Sequence, residues 1–289
     1  CAMELTEKKI ISNKETGMTL NFGNAEAVLE MVEQVANRRG FGELLAEGGY
    51  QLALRYNHPE YFMGVRKQGA PAFDPRGVQG LCLEYATSNS GVSHSIGYLV
   101  THKMLGIRGE IDTRAIEGKA PLVKLFQDGN AVFDAAGLCR LLLLGIWVEE
   151  IVPMLASATG IACTEDELLT AGERIWNLER LFNIRAGFSG ADDTLPRRML
   201  QEPMPEGPAQ GQLCRLKEML PEYYAIRGWD GRGVPTKERC NSLGLGAEKA
   251  RGRSAGGKNL KLTASSAAAA GGARWPAAAA LLEVNFKFF

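Results

Sequence analysis

Thr164-Glu-Asp-Glu167-Leu168-Leu-Thr-Ala171-Gly-Glu-Arg-Ile175-Trp-Asn-Leu178-Glu-Arg-Leu-Phe182 carries both a helix start signal and a helical periodicity. A threonine followed three residues later by glutamate is a capping box, in which hydroxyl and carboxylate satisfy amide groups left exposed by the first turn. Behind it Leu168, Ala171, Ile175, Leu178 and Phe182 predict one apolar face on a long helix. The same three- and four-residue spacing runs through most of residues 20–245, between Gly/Pro turns, and strand-like alternation is scarce. The expected fold class is mostly α and multihelical. Asn24 is placed to cap a helix with a buried stripe of Val28, Met31, Val32 and Val35, ended by Gly40. A further helix through Leu44, Leu45, Leu52 and Leu54 is weakened at Gly48-Gly49, and Pro121 and Pro235 suit the first turns of two others.

Two stretches break the pattern. Lys67 to Asn89 is punctuated by Gly69, Pro71, Pro75, Gly77 and Gly80, and reads as an extended, buried or site-lining loop. From Gly246 onward the composition turns to Gly, Lys, Arg and two four-alanine blocks without a core pattern, which predicts a disordered or artefactual tail. The chain has 289 residues, 45% hydrophobic and 23% charged, enough for a sizeable core and two domains. Its formal charge is zero, but the basic tail hides a mildly acidic body: residues 1–245 hold 26 basic and 31 acidic side chains. Nothing in that balance points to nucleic acid or a membrane surface. The longest apolar run, Leu141 to Val148, is far shorter than the roughly 20 residues of a membrane helix. Six scattered cysteines without a C-x-x-C pair suggest a reducing compartment, so a cytoplasmic protein is expected.

General catalytic signatures are mostly missing. Gly91-Val-Ser93-His94-Ser95 lacks the closing glycine of a nucleophile elbow, and Gly244-Leu-Gly246 lacks the last glycine of a dinucleotide fingerprint. Three histidines, His58, His94 and His102, without a His-x-x-x-His, make a self-contained zinc site a poor reading. Asp134-Ala-Ala-Gly137-Leu138-Cys139 is different: a carboxylate able to hydrogen-bond a polar heterocycle, a tight glycine turn and a soft-metal thiolate lie within six residues. Spacing alone still fits a buried structural cysteine on a helix better.

The wider sequence reverses that preference, because the chain resembles the aldehyde:ferredoxin oxidoreductase family from about Ala2 to Leu245. The likeness is carried by Phe22-Gly-Asn-Ala-Glu-Ala, Gly42-Glu-Leu-Leu-Ala-Glu-Gly48, Phe73-Asp-Pro-Arg-Gly77, Tyr85-Ala-Thr-Ser-Asn89, Gln127-Asp128 leading into Asp134-x-x-Gly-Leu-Cys139, Gly172 to Asn183, Asp192-Asp-Thr-Leu-Pro196 and Tyr223-Tyr-x-x-Arg-Gly-Trp-Asp230. Each is weak alone; in this order they are specific.

The resemblance implies a tungsten or molybdenum ion held by two pterins beside a [4Fe-4S] cluster, oxidising aldehydes to carboxylates and passing electrons to ferredoxin. It implies a pterin-binding carboxylate at Asp134 and the fourth cluster cysteine at Cys139, with Gly137, Leu138 and Arg140 as further cofactor-facing positions. It also implies a proton-transfer histidine at His94, for which a packed loop histidine is the alternative. Thiolate ligation suits low-potential electron transfer, and an imidazole, ordinarily titrating at about pH 6.5, suits proton exchange at a metal-bound oxygen. Asp74 and Arg76 are expected to form an internal, structural ion pair. Residues 1–62 are expected to end a helical second domain, 63–245 to form a helical third domain with cofactor-facing loops, and 246–289 to be the tail. The other three cluster cysteines, a second pterin motif and an active-site glutamate are expected before Cys1, so the isolated chain is expected to be inactive. Cys82, Cys163, Cys214 and Cys240 do not reproduce the cluster spacing and read as core or surface thiols. Ser90 stands where many family members have arginine, which puts the usual contacts there in doubt. Expected partners are ferredoxin, a small aldehyde and the missing N-terminal portion, with homodimerisation open. Two alternatives remain: a paralogue acting on another oxo or aryl-CoA substrate, and a helical binding or scaffold module without redox chemistry.

Overall fold

A computed structural model describes residues 1–96 and 111–245; His102 and the tail expected over 246–289 lie outside the described residues. The described helices are α1 (Ala2–Glu7), α2 (Asn13–Thr16), α3 (Ala25–Ala36), α4 (Phe41–Leu45), α5 (Gly49–Arg55), α6 (Gln79–Thr87), α7 (Lys119–Ala135), α8 (Val148–Thr159), α9 (Glu165–Arg185), α10 (Arg197–Gln201), α11 (Leu216–Arg227) and α12 (Lys237–Ser242). One short antiparallel hairpin, β1 (Gly64–Val65) with β2 (Gln68–Gly69), is the only sheet among the described residues. The mostly α expectation therefore holds. The described residues divide into two compact units, one drawn from Cys1–Val123 and Phe188–Tyr223, the other from Lys124–Gly187 and 224–245.

In the first unit Leu5, Ile11, Leu20, Ala27, Met31, Phe41 and Leu52 form a buried cluster. Asn24 caps α3 as expected, its side chain accepting the Ala27 N–H at 3.0 Å. The buried stripe of α3 is rotated from the one expected: Ala27 and Met31 are inside, whereas Val28 and Val32 are 44% and 62% exposed. The cause is α4, which meets α3 at Gln34; a Cβ on Gly42 would lie 2.2 Å from the Gln34 carbonyl carbon, so only glycine permits that approach. The helix expected through Leu44 to Leu54 is two helices, broken at Gly48, whose φ of 93° lies in the region open to glycine.

The loop expected over Lys67–Asn89 is corrected in its second half. Gln79–Thr87 is a helix with every residue buried. A helix buried on all sides has no polar face, so the pattern that betrays a surface helix is missing. Its N-terminal Gln79 donates to the Leu213 carbonyl at 2.8 Å and accepts the Arg215 N–H at 2.9 Å. That alignment brings Cys82 beside Cys214, and the two are joined as a disulfide. The reading of both as unpaired thiols is thereby corrected; a partner 132 residues away leaves no local trace.

The hairpin turns on Arg66 and Lys67, both with left-handed backbone, φ 49° and 68°. Two-residue turns of this kind favour asparagine and glycine, and side-chain-bearing residues are strained there. For Arg66 the compensation is visible: its nearly buried guanidinium donates to Asp193, whose side chain is wholly buried, and to the Ser88 carbonyl.

In the second unit the capping box forms as expected, Glu167 N–H donating to the Thr164 hydroxyl at 3.2 Å and Thr164 N–H to the Glu167 carboxylate at 2.8 Å. The buried face of α9 differs from the aliphatic one expected: it is Leu168, Ala171, Gly172, Trp176, Asn177 and Arg180, while Phe182 is 68% exposed. Polar members are tolerated because each is bonded. The Trp229 indole N–H donates to Asn177 at 2.7 Å, and Arg180 donates to the Gly233 carbonyl at 2.9 Å while lying 4.7 Å from the Trp229 ring centroid. Pro121 sits in the first turn of α7, but Pro235 precedes the α12 cap, Thr236, and bridges to Trp229 instead.

α9 and α7 touch backbone to backbone: a Cβ on Gly172 would lie 2.1 Å from the Asp128 carbonyl oxygen. Gly172→Ala is therefore expected to cost about 1–3 kcal/mol by forcing the helices apart, despite alanine's better helix propensity. Urea unfolding monitored by tryptophan fluorescence measures it, and an unchanged midpoint would refute the close approach. Among the described residues no helix is long and apolar enough to cross a membrane.

Candidate functional site

The C-terminal end of α7 positions the carboxylate and thiol picked out by spacing. The helix stops in a Schellman turn: the Leu138 N–H donates to the Phe133 carbonyl at 2.9 Å and the Gly137 N–H to the Asp134 carbonyl at 3.1 Å. Gly137 has φ 71°, and a Cβ there would meet nothing within 4 Å, so backbone conformation alone demands the glycine. The turn leaves Asp134 in the last helical turn, Leu138 just past it, and Cys139 at the start of a 3-10 turn, Arg140–Leu144.

The Asp134 carboxylate is gripped by the Arg140 guanidinium, Nε donating at 2.7 Å to one oxygen and Nη2 to the other. Both side chains are partly open to solvent. Two coplanar donors on one carboxylate edge form a charge-assisted fork with fixed geometry. The Cys139 thiol is exposed and in no disulfide, and Leu141 and Leu142, two and three residues further along, are 60% and 41% exposed. A soft, accessible sulfur is suited to a metal ion or cluster. Among the described residues no group of three or more His, Cys, Asp or Glu side chains is arranged to hold a metal.

His94 belongs to the first unit. It is half-buried, its ring tilted at 38° against that of Phe73 with centroids 4.9 Å apart, and it lies in sequence between Ser93 and Ser95, whose hydroxyl oxygens are 3.0 Å apart. Phe73 is held in turn by Tyr85, whose hydroxyl donates to the Phe73 carbonyl at 3.2 Å. Burial, reinforced by Glu84 and Asp74, pushes the Tyr85 phenol well above its usual pKa, so it stays a neutral donor. The ion pair expected between Asp74 and Arg76 is present at 2.6 Å, and Arg76 also donates to the Glu202 carbonyl at 2.8 Å. Burial pushes the Asp74 carboxyl up, but the Arg76 guanidinium and backbone N–H outweigh it and hold the pKa below the usual range. This pair fastens the loop beneath Phe73.

Thus Asp134, Gly137, Leu138, Cys139 and Arg140 are brought together by one helix end of the second unit, and His94 belongs to the first. Sequence reasoning missed that Arg140 would be bonded to Asp134, because a six-residue separation across a turn follows no helical pairing rule. It also passed over Arg66 and Lys67, since two cations in a row ordinarily read as solvated surface.

The family model described as aldehyde ferredoxin oxidoreductase, domains 2 and 3, matches residues 1–245. The chain belongs to the aldehyde ferredoxin oxidoreductase family. Tungsten-containing aldehyde ferredoxin oxidoreductases of Pyrococcus horikoshii and Pyrococcus furiosus are 47% and 46% identical to it, each over 84% of this chain. The aliphatic sulfonate oxidoreductase WOR-like subunit of Pyrococcus furiosus is 26% identical over 86% of the chain and 39% of its own length. The chain spans 41% of the length of the first two aldehyde ferredoxin oxidoreductases. A solved structure, the active site complex BamBC of benzoyl coenzyme A reductase in complex with 1,5-dienoyl-CoA, has a TM-score of 0.59 at 23% identity. It covers 85% of this chain and 42% of that one, a likeness of fold.

Proposed function

We propose that this chain is the helical C-terminal portion of a cytoplasmic oxidoreductase that converts aldehydes to carboxylic acids at a tungsten or molybdenum bis-pterin centre and sends electrons through a [4Fe-4S] cluster to ferredoxin. Residues 1–62 end its second domain and 63–245 form its third. The observation that carries the reading is the α7 end, where a partly exposed carboxylate and an exposed cysteine in no disulfide are fixed around a glycine turn.

The donor set suits such a cofactor. Asp134 accepts two coplanar N–H groups from Arg140, the pattern that the amino group and ring N–H of a pterin would also offer. Cys139 supplies one thiolate, whereas a [4Fe-4S] cluster normally takes four. When bound, the metal-pterin group supplies an acceptor for the two electrons leaving the aldehyde carbon. The chain's own residues do the rest: Asp134 orients the heterocycle, Arg140 sets the charge beside it, and Leu141 and Leu142 restrict water around Cys139. His94, held on Phe73, takes up or delivers the proton through a ring nitrogen.

Anaerobic reconstitution of this chain with iron and sulfide is expected to yield no stable [4Fe-4S] absorption or electron paramagnetic resonance signal. The same treatment of the full-length protein is expected to yield both, together with aldehyde-dependent ferredoxin reduction. A stable cluster on the chain alone refutes the single-ligand assignment; turnover of an aryl-CoA substrate in place of aldehydes refutes the substrate class.

A further inference from the structure

The Gly64–Gly69 hairpin and the segment Phe188–Arg197 line a half-open cavity of about 300 Å³ in the first unit. That is the lower end of the size range of small-molecule sites. Its walls combine aromatic faces with cations. Tyr50 and Phe62 meet edge to face, centroids 5.5 Å apart, and Phe188 lines the cavity as well. Lys67 and Arg197 also line it.

The charges are unevenly committed. Of the two acids in the lining, Glu60 is engaged by His58 at 2.8 Å and Asp192 accepts the Ser189 N–H at 2.7 Å. Arg197 donates to the neutral Gln201 and acts on Glu60 through space without a hydrogen bond to it, and Lys67 makes no ion pair among the described residues, its ammonium lying 5.7 Å from the Tyr50 ring centroid. The backbone sharpens this. Arg66 and Lys67 both hold left-handed φ; Arg66 is paired with Asp193, and Lys67 has no such carboxylate partner among the described residues. The tight turn thus holds the Lys67 backbone at the rim of the cavity.

We propose that this cavity binds a small organic carboxylate with an aromatic or branched apolar body, its carboxylate met by Lys67 and Arg197 and its body by Tyr50, Phe62 and Phe188. The assignment stands independently of the reaction proposed above.

The test is ligand- and protein-observed NMR on the full chain, with benzoate as probe and benzyl alcohol as its uncharged counterpart. A ligand of this size is expected to bind with a millimolar dissociation constant. Saturable shifts are expected at Tyr50, Phe62 and Phe188, with benzyl alcohol at least about tenfold weaker. Lys67→Gln and Arg197→Gln are each expected to weaken benzoate by about the same factor. Lys67→Gly separates ligand handling from folding, because it is expected to raise Tm by relieving the left-handed strain while weakening benzoate as much as Lys67→Gln. No saturable benzoate binding, equal binding of benzyl alcohol, unchanged affinity in Lys67→Gln, or shifts lying outside the cavity would each overturn the proposal.

Discussion

Arg227→Met is expected to cost about 3–5 kcal/mol of stability, the largest effect of any single replacement outside the cofactor chemistry. The Arg227 side chain is fully buried. Its guanidinium pairs with Asp128, donates to the Gln127 side chain at 2.8 Å, and lies 5.2 Å from the Trp176 ring centroid. Removing it leaves Asp128, itself nearly buried, with Lys124 at 2.8 Å as its remaining ion-pair partner. Lys124 is shared with Glu173 at 3.1 Å, which Arg239 also approaches at 3.4 Å, so the loss spreads through a network of five charges. A buried carboxylate stripped of its principal cation is far more costly than the pair's net worth, because the desolvation of the remaining charge is no longer offset. The double replacement Asp128→Leu with Arg227→Met should therefore be less destabilised than the sum of the single changes. Urea unfolding followed by tryptophan fluorescence gives all three values. A loss under about 1 kcal/mol for Arg227→Met would show that the network is not buried as described.

Cys139→Ser is expected to behave in the opposite way, leaving stability almost untouched and removing function. The thiol is exposed and in no disulfide, so exchanging sulfur for oxygen disturbs little packing among the described residues. If Cys139 ligates the cluster of the full-length protein as proposed, a hydroxyl is a poor replacement for its thiolate, and aldehyde-dependent ferredoxin reduction should fall at least about 100-fold. Thermal unfolding of the chain and cluster content of the full-length protein, measured side by side, distinguish this from simple misfolding. Wild-type activity with an intact cluster in Cys139→Ser would remove Cys139 from the ligand set.

What the sequence could disclose was what is local or shared with relatives. The Thr164 capping box and the Asn24 cap are complete within four residues, so their geometry is implied by their order. The Asp134-to-Cys139 motif is likewise closed on itself, because Gly137 needs only its own φ to make the turn. Family membership came from many such short matches in one order. The tertiary structure alone decided which faces are buried and what each polar group bonds. Val28 and Val32 face outward because α4 lies against Gln34, and α6 hides its helical character by being buried all round. Cys82 finds Cys214, Arg66 finds Asp193, and Arg227 finds Asp128, each across a hundred residues or about that. Such pairings depend on how whole elements pack, since burial and electrostatic compensation are properties of neighbours in space, and a one-dimensional pattern records only neighbours along the chain.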